Sequence, residues 1–506
     1  MANSPIKTVV IVGGGTAGWT AAALMARAFA GQLAIHLVES EEIGTVGVGE
    51  ATIPTILTLN QFLGLDENEM MKASQATFKL GIEFVDWYKP GATYTHQFGP
   101  FGRPLGVLPF YQYWLKRHLD GAPDSDRSAS LWDYSFNDHA TRRNRFARLD
   151  RIPDAPLDGL VHAFQFDALL YAQYLRRLCE KQGVTRVEGR IIHVDRRNDG
   201  FVEAVVLEDG RAIAGDLFLD CSGFRALLIE GTLKAGFEDW THYLPCDRAW
   251  AVPCRPAGPL LPYTRATARS AGWQWRIPLQ HRTGNGHVFA SRFMDEDTAR
   301  GVLMAHLDAE PLVEPRLLSF TTGRRRSAWV KNVVAIGLAS GFVEPLESTS
   351  IHLAQAGVTR LLTLFPDTGF DPAEIAEYNR LTQREYESVR DFIVLHYKAT
   401  ARDDSPFWTY VRTMEVPDSL ARKIDFFRQH GRVLAEPDDL FKEMSWVQVL
   451  LGQGIVPGAA APLTAVLSDA QIDEVMNNLR TIYANAAAGL PPHDAFIARH
   501  CRADAP

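Results

Sequence analysis

Cysteine is scarce in this chain, which has five cysteines among 506 residues. None of them forms a Cys-x-x-Cys pair, so the sequence has neither a disulfide framework nor a zinc-binding motif. No run of about 18 or more apolar residues occurs, which argues against a membrane-spanning helix. The first residues show no charged segment, apolar stretch and small-residue cleavage site in succession. We therefore expect a cytoplasmic protein without a membrane partner or a bound metal.

Positive charge is also in short supply, since 52 lysines and arginines stand against 60 aspartates and glutamates, for a net charge of −8. A surface of this sign disfavours nucleic acid as a partner. The chain is 46% hydrophobic and 10% aromatic, which is typical of a globular protein and not of a disordered one. Its length exceeds a single core, so we expect two closely joined domains or one large composite.

The first motif is a glycine-rich turn between a strand and a helix. A β-branched run at Thr8–Val12 predicts a buried strand, and Gly13, Gly15 and Gly18 follow with GxGxxG spacing. A second predicted strand ends at Glu39, 21 residues after Gly18. These glycines allow a tight turn, close approach of a pyrophosphate and packing of helix on strand, while the acid binds ribose hydroxyls. The motif predicts a dinucleotide site for NAD or FAD.

Later segments favour FAD. A buried strand and a Gly-rich turn at residues 335–342 precede another helix, and no second GxGxxG occurs. Together with Asp-Cys-Ser-Gly at 220–223, this arrangement looks like FAD proteins of the glutathione-reductase/hydroxylase kind. Alternating apolar residues predict a strand over 76–87, and helical patterns cover 164–182 and 372–400.

We therefore expect an α/β fold. Its FAD-binding Rossmann-like domain would have a mixed sheet, and a mostly helical C-terminal region would cover the substrate. The expected core spans residues 1–370, with substrate-side strands inserted at about 70–150 and 225–325, and the helical region spans 371–506.

Three motifs resemble those of the flavin-dependent tryptophan halogenase family. They are GEATIP at 49–54, WQWRIP at 273–278 and FVEPLEST at 342–349. Lys79 stands in Phe-Lys-Leu-Gly, where the family has its lysine, and residues 391–397 and Ser-Trp at 445–446 extend the likeness over nearly the whole chain. The pattern WxWxIP is specific to these halogenases. The resemblance implies a divergent member of the family.

The resemblance also implies the chemistry. Reduced FAD and oxygen oxidise chloride or bromide to hypohalous acid, which passes through an internal tunnel to a lysine that directs halogenation of an aromatic ring. Lys79 would be that lysine, and Glu347 the carboxylate that holds the ammonium and takes up the ring proton. From the strand pattern alone, Lys79 would instead share a solvated face with Glu83. Glu347 alone could be an acid favoured at a helix start, and Glu344 is the competing carboxylate.

A halide cradle of backbone N–H groups is implied at Thr349 and Ser350, where a turn enters a helix. The family usually has glycine at the second position, so serine is compatible there if its φ and ψ permit. Trp273 and Trp275 would fill the space beside the flavin and keep organic substrate away from it. Core packing is the alternative for both indoles, and the two roles are compatible.

The remaining implied residues fall into two groups. Beside the glycine loop and Glu39, the implied FAD contacts are Thr16, Ala17, Ala51, Val187, Leu338 and Ile351. The implied substrate and tunnel residues, besides the two tryptophans, are His96, Phe98, Phe101, Ser348 and Trp446. In members that halogenate free tryptophan, aromatic and acidic residues ahead of the C-terminal Ser-Trp bind the amino acid. Here residues 426–444 contain no tyrosine. We expect an indole or another electron-rich aromatic, and leave free tryptophan, regiochemistry and halide preference open.

Two other classes of protein stay open from the residues themselves. One is a flavin monooxygenase that hydroxylates an aromatic substrate; such enzymes place Gly-Asp in the late flavin turn, whereas Leu338 follows Gly337 here, and they need no halide. The other is a non-catalytic flavoprotein, in which a buried Lys79 would be costly. No NAD(P)H domain is visible, so we expect FADH2 to arrive by diffusion from a separate NAD(P)H-dependent flavin reductase. The oligomeric state is open between a monomer and a homodimer.

Overall fold

The computed structural model describes residues 4–42, 49–121 and 130–504. The chain forms two compact units, each made from three stretches of sequence. The first unit comprises Met1–Ala76, Phe166–Arg248 and Leu318–Ser388, and the second comprises Thr77–Gln165, Ala249–Leu317 and Val389–Pro506. The division at residue 370 expected from the sequence stays a prediction.

The first unit is built on a six-stranded sheet. Its strands lie in the order Trp329–Val330, Val333–Ala335, Leu217–Asp220, Thr8–Val12, Ala34–Glu39 and Thr185–Glu188. Neighbouring strands are parallel, except that Trp329–Val330 runs antiparallel to its neighbour. Val9, Val10 and Ile11 are fully buried, as a β-branched run inside a covered parallel sheet should be. The glycine loop and Glu39 therefore follow the carboxyl ends of adjacent strands, where ligands bind in such sheets.

Two smaller three-stranded sheets also lie in this unit. One contains Ile191–Arg196, Val202–Leu207 and Ala212–Ala214, and the other contains Phe237–Asp239, Gly323–Arg325 and Gly341–Phe342. Apolar residues of the main sheet and of the first small sheet share one core cluster, which includes Val10, Val12, Val205, Leu207 and Phe218.

The second unit contains a mostly antiparallel sheet. Five of its strands lie in the order Thr283–Phe289, Gly272–Pro278, Tyr263–Arg269, Gly81–Val85 and Thr93–Gln97. The one parallel pair among them joins Tyr263–Arg269 to Gly81–Val85. A separate short strand, Thr77–Lys79, pairs antiparallel with residues 163–165. These strands carry Lys79, His96, Trp273 and Trp275.

Helices occupy much of the rest of the described chain. They are Thr16–Phe29, Thr55–Leu63, Glu67–Ala73, Phe110–Leu119, Phe136–Arg142, Ala168–Lys181, Glu296–Ala305, Ser350–Thr363, Pro372–Lys398, Pro406–Thr413, Asp418–His430, Glu443–Gly452, Asp469–Gly489 and His493–His500. The remaining strands are Gly49–Ala51, Ala163–Asp167, Arg248–Cys254 and Arg316–Ser319. Among the described residues, no helix combines the length and the hydropathy needed to cross a bilayer.

The structure corrects the helix expected over 164–182, which begins later than predicted. Its first residues belong to the strand Ala163–Asp167, and the helix begins at Ala168. The Asp167 carboxylate accepts hydrogen bonds from the backbone N–H groups of Leu169 and Leu170, which fixes the start of the helix. Before this cap, apolar residues recur at every second position, which is the period of a strand and not that of a helix.

The structure also corrects the single strand expected over 76–87. Two strands lie there, Thr77–Lys79 and Gly81–Val85. Leu80 separates them: its N–H donates to the Pro262 carbonyl at 2.7 Å, and its carbonyl accepts from the Phe98 N–H at 2.9 Å. These partners come from distant parts of the chain, so no local pattern announces the break.

Candidate active site

The glycine loop in the first unit has the geometry of a phosphate cradle. Gly13 has φ of +111°, and a Cβ on it would lie 2.3 Å from the Cys221 carbonyl oxygen. A Cβ on Gly18 would lie 1.8 Å from the Gly13 oxygen, so helix and strand approach too closely for any side chain there. Among the described residues, and apart from the two chain neighbours of Gly15, no heavy atom lies within 4 Å of its Cβ position, and no described side chain caps the helix Thr16–Phe29. A pyrophosphate fits the N–H groups at this helix N-terminus.

Glu39 lies against this loop. Its Oε2 would be 1.5 Å from a Cβ on Gly14, and its Oε1 accepts from Arg186 Nε at 2.5 Å. Arg176 Nη1 lies 3.7 Å from the same Oε1. The arginines fix the carboxylate at the strand end, and its remaining lone pairs can accept the two hydroxyls of a ribose. The residues present therefore fit the adenosine half of FAD.

The other residues implied as FAD contacts also lie in the first unit. Ala51, Val187 and Ile351 are buried, and Leu338 is half-buried. Thr16 Oγ1 is 3.5 Å from the Ala168 carbonyl oxygen. The late glycine turn reaches the first helix, because a Cβ on Gly337 would lie 2.8 Å from the Ala17 Cβ. The contacts of all six residues with FAD stay predictions.

The implied halide cradle lies at the start of the helix Ser350–Thr363. A short 3₁₀ turn, Pro345–Glu347, leads into Ser348, which has φ 60° and ψ 41°. Ser350 is the first residue of the helix and has no positive φ, so serine is tolerated at that position without strain. The left-handed residue is Ser348 instead. Thr349 is fully buried, and its Oγ1 has no hydrogen-bond partner among the described residues, as expected where a ligand completes the site.

Two carboxylates precede the cradle. Glu344 and Glu347 are both fully buried, so burial does not distinguish them. Glu347 is adjacent in sequence to Ser348, at the end of the 3₁₀ turn, and Glu344 flanks the other end of the same turn. Of the two acids, Glu347 is closer in sequence to Thr349 and Ser350, the implied halide cradle. This position favours Glu347 over Glu344 as the candidate carboxylate.

Lys79 ends the strand Thr77–Lys79 in the second unit. Its side chain is fully buried, and the alternative in which it shares a solvated face with Glu83 is therefore wrong. The Lys79 Nζ lies 5.4 Å from the centroid of the Phe98 ring. This is a cation–π distance, so the aromatic face partly offsets the cost of removing the ammonium from water.

His96 and Trp446 meet around one aromatic cluster. The Phe392 and Phe441 rings are stacked, with centroids 3.9 Å apart. His96 lies 5.6 Å from the Phe392 ring, and Trp446 lies 5.0 Å from it on ring centroids. Trp446 is fully buried and its Nε1 donates to the Phe441 carbonyl at 3.1 Å. Phe101 does not join this cluster in the ring contacts observed; it packs edge-on against Trp132 at 6.5 Å.

The two tryptophans of WxWxIP are neighbours in space, with ring centroids 6.2 Å apart. Trp273 is buried and lies 6.4 Å from the Trp87 ring. Trp275 is half-buried and its ring covers Gly286 on the adjacent strand, where a Cβ would lie 2.1 Å from indole carbons. Gly286 was not predicted from the sequence, because the register that pairs it with Trp275 is visible only in the sheet.

Glu50 was also missed, although it lies inside the GEATIP motif. It is half-buried on the strand Gly49–Ala51 of the first unit, and desolvation raises the pKa of its carboxyl to about 7. An acid that titrates near neutrality next to Ala51, an implied FAD contact, is able to exchange protons at working pH.

The parallel sheet, the glycine loop and Glu39 are those of a dinucleotide-binding α/β protein. The model of the family described as tryptophan halogenase matches residues 8–469, and the chain belongs to this family.

Individual relatives agree with this assignment. The chain is 35% identical over 531 residues to the tryptophan 7-halogenase RebH of Lentzea aerocolonigenes, with 98% of this chain and 99% of that protein covered. The solved structure of Xcc4156, a flavin-dependent halogenase from Xanthomonas campestris, matches with a TM-score of 0.94 and 48% identity over 99% of this chain and 100% of that one. BrvH, a flavin-dependent halogenase from Brevundimonas sp. BAL3, matches with a TM-score of 0.92 and 44% identity, covering 97% and 99%. The expected fold class and the enzyme class, a flavin-dependent halogenase, are confirmed.

Proposed function

We propose that this protein is an FADH2-dependent halogenase that uses oxygen and chloride or bromide to halogenate an electron-rich aromatic compound of the indole or tryptophan type. The observation that carries this proposal is the complete burial of Lys79 in a chain of the tryptophan halogenase family. Removing an ammonium from water costs several kcal/mol per ion, by order of magnitude. Polarising an oxidised halogen gives that buried charge a chemical role.

The first unit would hold the cofactor and the halide. When bound, reduced FAD and oxygen supply the oxidising equivalents that convert halide to hypohalous acid. The open face at Gly15 and the N-terminus of the helix Thr16–Phe29 would bind the pyrophosphate, and Glu39 the ribose. Backbone N–H groups at Thr349 and Ser350 would bind the halide, with the Thr349 hydroxyl as a further donor.

Lys79 would direct the halogen. Its ammonium donates a hydrogen bond to the oxygen of hypohalous acid and weakens the oxygen–halogen bond. The ring carbon forms a bond to the halogen as the oxygen–halogen bond breaks, and the oxygen leaves as water after gaining a proton. The ring then loses a proton to a carboxylate, for which Glu347 is our candidate. The sum converts an aromatic C–H and hypohalous acid into an aromatic C–halogen bond and water.

The substrate would be a neutral indole in preference to free tryptophan. In the C-terminal part of the second unit, the charged groups near Trp446 already have partners: Lys423 lies 3.2 Å from Asp439 and 4.4 Å from the Trp446 ring. Asp391 accepts from Arg390 at 2.8 Å and from the Ser419 hydroxyl. Binding the ammonium and carboxylate of an amino acid there would require breaking these pairs.

Reduced flavin would reach the enzyme by diffusion from a separate NAD(P)H-dependent flavin reductase. The glycine loop is the one GxGxxG motif in the sequence, and its geometry fits FAD. Stopped-flow mixing of the FAD-loaded enzyme with NADH should give no catalytically useful flavin reduction until a reductase is added.

A product screen tests the function. The enzyme would be incubated with FAD, a flavin reductase, NADH, oxygen and bromide over a panel of indoles, phenols, pyrroles and tryptophan. We expect monobrominated indoles, recognised by the bromine isotope doublet in mass spectra, and no product without bromide. An oxygenated product that forms equally well without halide would instead identify a monooxygenase.

A further inference from the structure

The strand that carries Lys79 is too short to fix its orientation by strand pairing alone. It has three residues and ends at Lys79, where Leu80 interrupts the sheet. Its register with residues 163–165 provides the ladder. The groups that bind the backbone next to Lys79 must therefore contribute to the position of its ammonium.

Asn137 binds the carbonyl of Leu80, the residue that follows Lys79. Its Nδ2 donates to the Leu80 carbonyl at 3.1 Å and to the Val161 carbonyl at 2.7 Å, while its Oδ1 accepts from the Val161 N–H at 3.1 Å. The Leu80 carbonyl also accepts from the Phe98 N–H. Asn137 is 2% exposed. The Leu80 carbonyl thus accepts both from Asn137 and from the N–H of Phe98, the residue whose ring centroid lies 5.4 Å from the Lys79 Nζ.

The helix that carries Asn137 is itself fixed. Ser135 caps the helix Phe136–Arg142 by accepting from the Asp138 N–H at 3.3 Å. The buried Asp138 carboxylate accepts from the Thr95 hydroxyl at 2.9 Å and from Gln97 Nε2 at 3.2 Å. The helix is therefore bound to the strand Thr93–Gln97, which leads directly into Phe98.

His493 binds the N–H of Phe78, the residue that precedes Lys79. Its Nε2 accepts from the Phe78 N–H at 3.3 Å, and its Nδ1 lies 2.8 Å from the Leu260 carbonyl. This pairing requires the neutral tautomer with the proton on Nδ1. Burial lowers the pKa of His493 to about 4, so the acceptor is present at neutral pH.

We propose that Asn137 and His493 are positioning residues that hold the backbone on both sides of Lys79 and so keep its ammonium over Phe98. Neither is assigned contact with substrate or cofactor. The proposal rests on the proposed role of Lys79, but its geometry is independent of which aromatic compound is halogenated.

The first unit offers a matched control for Asn137. The Asn332 Nδ2 donates to the carbonyls of Val202 and Asp216 at 2.8 and 3.1 Å, and its Oδ1 accepts from the Val202 N–H at 3.0 Å. Asn332 is likewise 2% exposed. The same change at both sites, Asn137→Asp and Asn332→Asp, keeps the shape of the side chain and removes the same two donors.

The test measures two products in one assay. Each variant, loaded with FAD and supplied with reductase, NADH, oxygen, bromide and a substrate indole, is scored for brominated indole and for free hypobromous acid captured by a scavenger. For Asn137→Asp we expect brominated indole to fall about 10- to 100-fold, because small displacements of a directing group cost this much. Trapped hypobromous acid should rise in its place. For Asn332→Asp any loss should affect both outputs in proportion.

A second measurement does not depend on turnover. Trace acetic anhydride competitively labels lysines, and peptide mass spectrometry compares Lys79 with the exposed Lys72, whose side chain is 43% exposed. Lys79 labelling should rise in Asn137→Asp and in His493→Leu. It should stay at the parental ratio in Asn332→Asp and in His493→Gln, which keeps an acceptor for the Phe78 N–H.

The outcomes separate this inference from the proposed function. The positioning role is wrong if Asn137→Asp gives brominated indole and free hypobromous acid in the parental ratio. It is also wrong if Lys79 labelling is unchanged in both Asn137→Asp and His493→Leu. If Asn137→Asp does not fold, the two His493 variants decide. If the parental enzyme halogenates nothing, the proposed function fails while the labelling still tests the positions of these residues.

Discussion

At the scale of the single residue, the Thr349 hydroxyl is a candidate donor to the halide, because it has no hydrogen-bond partner among the described residues. A buried hydroxyl without a partner costs about 1–3 kcal/mol, and Thr349 is fully buried. We expect Thr349→Val to raise the stability of the ligand-free enzyme by about 1 kcal/mol and to reduce the stabilisation that bromide provides. Thermal unfolding with and without bromide measures both effects. Equal stabilisation of parent and variant by bromide would rule out the hydroxyl as a donor.

Glu50 makes the second prediction at this scale, through its raised pKa. The carboxyl titrates near 4.5 when unfolded and near 7 when folded, so its ionised form costs stability as the pH rises through this interval. Glu50→Gln should therefore be more stable than the parent at pH 8 by at most about 3 kcal/mol, with little difference at pH 4.5. Unfolding by urea at the two pH values measures this. An equal gain in the free energy of unfolding at pH 8 and at pH 4.5 would contradict desolvation as the cause of the raised pKa of Glu50.

At the scale of the element, Trp275 and Gly286 make a packed pair across two strands. Since a Cβ on Gly286 would overlap the indole, we expect Gly286→Ala to destabilise the enzyme by about 1–3 kcal/mol. Gly301 is the control, because no described heavy atom outside its own helical turn lies within 4 Å of its Cβ position in the helix Glu296–Ala305. Gly301→Ala should stabilise by up to about 1 kcal/mol. Thermal unfolding in which both variants move in the same direction would contradict this packing.

Elements also show what the sequence can reveal. The strand, glycine loop and first helix were predictable, because each of their constraints acts within about one βαβ unit. The break at Leu80 and the full burial of Lys79 were not predictable from the strand pattern. The backbone around them bonds to Pro262, Asn137 and His493, which are distant in sequence, and the Phe78–His493 hydrogen bond spans 415 positions. Family resemblance identified Lys79 where periodicity favoured a solvated residue.

At the scale of the whole molecule, buried neutral histidines set the response to acid. Burial lowers the pKa values of His287 and His493 to about 4, against 6.5 in the unfolded chain. Their contribution to stability is complete above pH 6.5 and is lost as the pH falls towards 4. Between pH 7 and pH 5, each of the two histidines should lower the free energy of unfolding by about 2 kcal/mol. In His287→Gln, the decrease in the free energy of unfolding between pH 7 and pH 5, measured with urea, should be smaller than in the parent by about 2 kcal/mol. The same decrease in parent and variant would contradict this role of His287.

The predicted roles divide between the two compact units. The glycine loop, Glu39, Thr349 and Ser350, which are the candidates for binding cofactor and halide, belong to the first unit, and Lys79 with the aromatic candidates belongs to the second. Glu347, the candidate acceptor of the ring proton, also belongs to the first unit. Oxidation of halide and direction of the halogen by Lys79 should therefore respond separately to mutation. This separation is the central claim of the proposed function.

The most direct test is Lys79→Met, which removes the buried ammonium and keeps an unbranched apolar side chain. FAD binding, followed by flavin fluorescence, and hypobromous acid captured by a scavenger should remain at parental levels, while brominated indole disappears. Bromination of indole at the parental rate by this variant would contradict the account.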